Sequence, residues 1–150
     1  MGLGIEPYIG GVSNKSDHIA KLIEEFRGQD LDAHYLSYFA CFNRQLFYEA
    51  HEVLEELWLG ERHGPSGAFY KGLIQLTAAF VHLQKDRPGP SAALFKLARA
   101  NLQSYPPRHE RLDVANVVHL IEDWLSRLEA TGFAANPLTS GHAPKLSLIP

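Results

Sequence analysis

Residues 47–58 read FYEAHEVLEELW and residues 71–82 read KGLIQLTAAFVH, and the patterns inside these two strings decide the fold. Projected at about 100° per residue, the first places Phe47, Leu54 and Trp58 on one helix face. Gln45, Glu49, Glu52 and Glu56 share the opposite stripe, which is predicted to face solvent. The helix that holds the second string is apolar almost all round, with Phe69, Leu73, Leu76 and Phe80 on one flank and Tyr70, Ile74 and Val81 on another. Such a helix belongs at the centre of a bundle. Gly60, Gly64, Pro65 and Gly67 lie between the two segments, so they are expected to form an antiparallel hairpin. That hairpin sets His51 beside Gln75 or Leu76 and Glu55 beside Gly72. His82 then falls level with Gln45, roughly 9 Å along the axis from His51, so the two share a metal only if the helices slide.

Outward from the hairpin, helical spacing continues in both directions. Ser16 or Asp17 opens a helix carrying Ile19, Leu22, Ile23 and Phe26, which Gly28 ends. A second helix after Asp30 aligns Leu31, Tyr35, Tyr38, Phe39 and Phe42. Asn43 is the expected cap of the third, over 44–59, with one bent rod as the alternative. Ser66 is the expected cap of the fourth, which runs to about Lys85 before the breaker DRPGP. Residues 91–103 turn Leu94, Leu97, Ala98 and Leu102 inward, and 114–130 form a last helix capped by Asp113 and ended by Gly132. Residues 1–15 read as an irregular arm and 133–150 as an irregular tail. No segment alternates as a strand pair does. The expectation is an all-α fold, a single compact bundle of five or six helices around the antiparallel hairpin, with the helical domain at 16–132.

Composition narrows the function. Fourteen Lys and Arg against seventeen Asp and Glu give a formal net charge of -3 with no basic cluster, so nucleic-acid binding is not expected. The most apolar run, 73–83, is short of the roughly 18 residues a membrane span needs and contains Gln75, Thr77 and His82. The start, MGLGIEPYIGG, lacks the charged and apolar regions of a secretory signal. Cys41 is the only cysteine, which excludes an internal disulfide or a cysteine-rich zinc site and fits a reducing, cytoplasmic setting.

His51 and Glu55 depart from a plain amphipathic helix, because they fall among the apolar positions at i, i+4 spacing, where their side chains can meet. A buried carboxylate and imidazole must pair or neutralise. The neighbouring His51 and Glu52 do not make a zinc-protease motif, since the position of its second histidine holds Glu55. The polar stripe of the fourth helix, Lys71, Gln75 and His82, supplies the other candidates, with Lys71 able to pair with Glu55. The aromatic load of helix two exceeds what one face needs, which leaves room for a partner surface occupied by a second copy or another protein.

These strings at this separation resemble an uncharacterised helical family catalogued as domain of unknown function 309. The resemblance rests on Phe42, Asn43, Phe47, Tyr48, His51, Glu52, Glu55, Trp58, Gly72, Leu73, Ile74, Gln75 and His82, and covers about 42–104. The chain departs from the family where it carries RPGPSA at 87–92, in a loop. The resemblance implies an all-helical fold and assigns no activity.

The reading of the residues is a non-catalytic helical binding or scaffold domain with a buried network of His51, Glu55 and Gln75, and no cofactor. The alternative is a metal- or small-ligand-binding protein, or a hydrolase-like enzyme, in which His51 and Glu55 hold a divalent metal or act as base and tuner. Phe47, Tyr48, Trp58 and Gly72 are expected to serve packing.

Overall fold

The computed structural model describes residues 12–138 and 142–150, and its helices follow the sequence periods closely. Six helices occur among the described residues: α1 (Val12–Glu25), α2 (Ala33–Asn43), α3 (Phe47–Glu61), α4 (Gly67–Gln84), α5 (Pro88–Leu102) and α6 (Val114–Ala130). The only sheet among them is a ribbon of two-residue strands, β1 (Arg108–His109) antiparallel to β2 (Leu112–Asp113). The architecture is an all-α bundle. α4 runs through its centre, packed most extensively against α5 and then against α3, while α2 lies on α3, α6 on α5 and α1 on α2.

Local chemistry sets the helix ends. Asp32 and Asp113 accept hydrogen bonds from the His34 and Asn116 amides at the starts of α2 and α6. Gly132, at a φ of 60°, ends α6: its amide reaches Glu129 O and the next amide reaches Leu128 O, the paired pattern that satisfies terminal carbonyls. Between α2 and α3 the chain breaks at Gln45, where φ is 61°, so the two helices are separate rather than one rod. Asn43 caps nothing. It is the last residue of α2, and its side chain holds the tail, donating to Leu146 O at 2.8 Å and accepting from Leu146 N at 2.7 Å.

Other boundaries also move. α1 begins at Val12, so the expected arm is shorter than 1–15, and its first eleven residues lie outside the described set. α5 begins at Pro88 rather than at residue 91, because proline in a first helical turn loses no internal hydrogen bond. Its inward face is Ala92, Phe95, Ala98 and Leu102, and Leu97, expected inside, is 52% exposed. The described residues of the tail have no regular structure, yet Leu146 is buried and Ile149 pairs with the Arg111 backbone carbonyl at 2.7 Å.

The core is aromatic at its middle. Phe80 stacks on Phe47 at 5.0 Å between centroids and meets Phe95 and Trp124 edge-on at 5.2 and 5.0 Å. Such pairs add about 0.5–1.5 kcal/mol each beyond their buried area. Tyr35, Tyr38, Phe39 and Phe42 are all buried, so helix two does not offer the aromatic partner surface its composition suggests. The surplus is absorbed inside the chain, where Tyr38 donates to Leu73 O at 2.7 Å and Tyr35 to Glu110 O at 2.9 Å. No helix among the described residues is long and apolar enough to cross a membrane.

Candidate functional site

The hairpin of α3 and α4 has the register its loop implies: Phe47 lies against Phe80, and Gln84 donates to Gln45 O at 3.1 Å. On α3, one turn carries His51 and the next carries Glu55. His51 is 1% exposed, and its Nε2 stands 3.7 Å from Glu55 Oε1, an ion-pair separation longer than a hydrogen bond. The Tyr48 ring lies 5.9 Å from the imidazole. Glu55 keeps 19% of its side chain exposed. Burial raises its carboxyl above the ordinary 4.5, the nearby Lys71 charge draws it back, and Glu52 adds to the rise.

Lys71 does not close an ion pair with Glu55. Its ammonium sits 4.3 Å above the Trp58 ring and acts on Glu55 through longer-range charge. An ammonium over an indole face is itself attractive, by about 0.5–1 kcal/mol at an exposed site. His51, Glu55, Trp58 and Lys71 therefore form one polar seam along α3 and α4. Phe47, expected to pack, is fully buried, whereas Tyr48 and Trp58 are half-buried.

Two residues expected in this seam face elsewhere. Gln75, 6% exposed, accepts from Asn101 Nδ2 at 2.8 Å and so joins α4 to α5. A Cβ on Gly72 would lie 2.9 Å from Leu102 Cγ and 3.2 Å from Asn101 Cβ, so the close approach it permits is also to α5 rather than to Glu55. The reason lies in the burial of α4 on every side, which lets the hairpin count fix height along the axis but not direction around it. His82 stands in the last turn of α4, at the Gln45 end, away from His51. Burial, then Arg87 and Lys85, lower its pKa from 6.5.

The acidic stripe of α3 is not a bare solvent face either. Val53 is buried with Ile19 and Ile23 of α1, Glu49 and Glu52 are half-buried, and Glu56 meets His34 Nε2 at 3.1 Å. Among the described residues no group of three His, Cys, Asp or Glu side chains is placed to share a metal ion. Burial pushes the Cys41 thiol up to about 11, as suits a small core residue rather than a reactive one.

One cluster left no trace in the sequence. Ser66, at the start of α4, makes no side-chain cap; its Oγ lies 2.9 Å from His109 Nε2 and 3.3 Å from Glu110 Oε2. These residues are more than forty positions apart and share no helical period, so only the folded ribbon brings them together.

Comparison with known proteins places this hairpin. The family model of a domain of unknown function, DUF309, matches residues 35–94. Those residues are similar to that domain. The matched stretch runs from the first buried tyrosine of α2 to the middle of α5, and thus holds the whole seam and Gln75, but not Asn101 or the ribbon. An uncharacterised protein of Aquifex aeolicus (strain VF5) is 26% identical over 119 residues, 78% of this chain and 34% of its own length. The chain therefore spans about a third of that relative. No solved structure matches.

Proposed function

We propose that the DUF309 hairpin is a non-catalytic binding or scaffold module, whose motif polar groups fix how three helices sit together. The observation that carries this reading is Gln75, a buried motif amide spent on Asn101 of α5 rather than turned toward His51 and Glu55. Lys71 is likewise taken up by Trp58, and His51 lies beside Glu55. Polar contacts of this kind select one register among several that apolar packing alone would allow. The length of the Aquifex relative supports a module, since there the matching region is one part of a longer chain.

A second reading rests on one observation: His51 Nε2 and Glu55 Oε1 lie side by side at a spacing a divalent ion could bridge, with Glu55 reaching solvent. The same pair would serve a hydrolase-like enzyme as base and tuner. Thermal unfolding of the parent, His51→Ala, and a double variant with His51→Leu and Glu55→Met, each with and without divalent metals, separates the readings. The structural reading expects a loss of about 2–4 kcal/mol for His51→Ala, much of it recovered in the double variant, and no metal-dependent shift. A rise in Tm with metal in the parent, absent from both variants, defeats it.

A further inference from the structure

We propose that Ser66 is a nucleophile served by His109, forming an acyl-accepting centre separate from the polar seam of α3 and α4. The proposal goes beyond the module reading and does not rest on it. It begins from an unused opportunity. A serine at the N-cap ordinarily accepts from the first-turn amides of its own helix, but Ser66 turns its hydroxyl away from α4 and onto the His109 imidazole at 2.9 Å. That distance is the working separation of a nucleophile and its general base.

The proton inventory supports the same end. With the imidazole proton on Nδ1, Nε2 is free to accept the Ser66 proton. With it on Nε2, the imidazole donates to Oγ and the hydroxyl proton points instead to Glu110 Oε2 at 3.3 Å. The Tyr70 hydroxyl is a third partner of the Ser66 side chain, so the route to His109 Nε2 is the one the first tautomer opens.

The pair is held in place from several sides. The His109 ring lies 4.7 Å from both the Phe69 and Tyr105 rings, which fix its plane. A Cβ on Gly67 would stand 2.4 Å from Arg62 O, so the residue after Ser66 has to be glycine for the loop to lie there. The ribbon that carries His109 turns through Glu110 and Arg111 at φ of 50° and 59°, a conformation that glycine and asparagine normally fill. Tyr35 on the Glu110 carbonyl, with Arg111 on Asp30 and on Ile149 O, holds that turn. Unfavourable backbone kept by surrounding bonds is a recurrent property of functional sites. Ser66 is 9% exposed, and His109, Glu110 and the loop over 61–65 are partly or fully open to solvent, so a reagent can approach from the loop side.

The step is an acyl transfer from an activated ester or thioester. Ser66 Oγ attacks the carbonyl carbon as its proton passes to His109 Nε2. The carbon–oxygen or carbon–sulfur bond to the leaving group then breaks, and the proton is delivered to the departing alkoxide or thiolate. The product is an O-acyl serine, and no oxidant or reductant is needed. Intact-mass spectrometry and peptide mapping of the full chain after incubation with a fluorophosphonate probe, and separately with p-nitrophenyl acetate, test this. Expected is a single adduct on Ser66, with the exposed Ser104 and Ser126 unmodified. Ser66→Ala should abolish it, and His109→Gln should slow it about a hundredfold while leaving the far-UV spectrum unchanged. If His109→Gln fails to fold, the site preference of the parent decides alone. No adduct on the parent, labelling spread over exposed serines, or a rate indifferent to His109 in a folded variant overturns the proposal.

Discussion

Replacing Gly72 by alanine sets two effects of known size against each other. Alanine is favoured over glycine inside a helix by about 1 kcal/mol. The added methyl would stand 2.9 Å from Leu102 Cγ, 3.1 Å from its Cδ2 and 3.2 Å from Asn101 Cβ. Leu102 is fully buried and Cγ is its branch point, so the clash is relieved only by moving α5. Overpacking of that kind costs about 1–3 kcal/mol, which leaves a net loss of up to about 2 kcal/mol and a fall in Tm of up to roughly 8 °C. The decisive form is a cycle with Leu102→Ala. That change costs about 2–5 kcal/mol alone, but it removes both close leucine atoms, so Gly72→Ala in this background should be neutral or slightly stabilising. Urea unfolding of the four proteins measures the coupling. A higher Tm for Gly72→Ala alone, or the same effect in both backgrounds, refutes the close approach of α4 and α5.

Asn43→Ala removes both bonds to Leu146 and should cost about 1–3 kcal/mol, read by urea unfolding, with faster tryptic cleavage after Lys145. Burial, then Arg87 and Lys85, lower the pKa of His82, so the unfolded chain takes up that proton first and the fold loses stability as pH drops below 6.5. His82→Gln should flatten this part of the pH profile in denaturation series from pH 8 to 5, and a steeper loss in the variant contradicts it. Glu55 carries the opposite sign: burial raises its pKa, so its contribution is present below 4.5 and is lost as pH rises through the raised value. Relative to the parent, Glu55→Gln should therefore gain stability as pH rises above 4.5 on the same assay.

How much could be read beforehand depended on what kind of signal each residue left. The 3.6-residue period located every long helix, and loop length gave the height of Phe47 against Phe80. Direction around α4 was illegible, because a helix apolar on all sides has no marked face; Gly72 and Gln75 were therefore matched to the wrong neighbour. His51 and Glu55 were found because their contact is local, one helical turn apart. Ser66, His109 and Glu110 were not, because two-residue strands fall below any periodicity and their turn lacks the usual glycine. Asn43 misled for a related reason: asparagine bonds equally well to its own helix end or to a distant strand of chain.

The clasp between Asn43 and Leu146 joins residues 103 positions apart, whereas α3, α4 and α5 are sequential neighbours joined by short loops. Closing a long chain segment carries more entropy than closing a short one, so the three central helices can associate before the tail has docked. Unfolding should run in the reverse order. The Leu146 amide, whose acceptor is a side chain near the surface, can exchange its hydrogen by local release of the tail. The amides in the middle of α4 exchange only when the whole bundle opens, which divides one small chain into an outer layer and an inner one of different lifetimes.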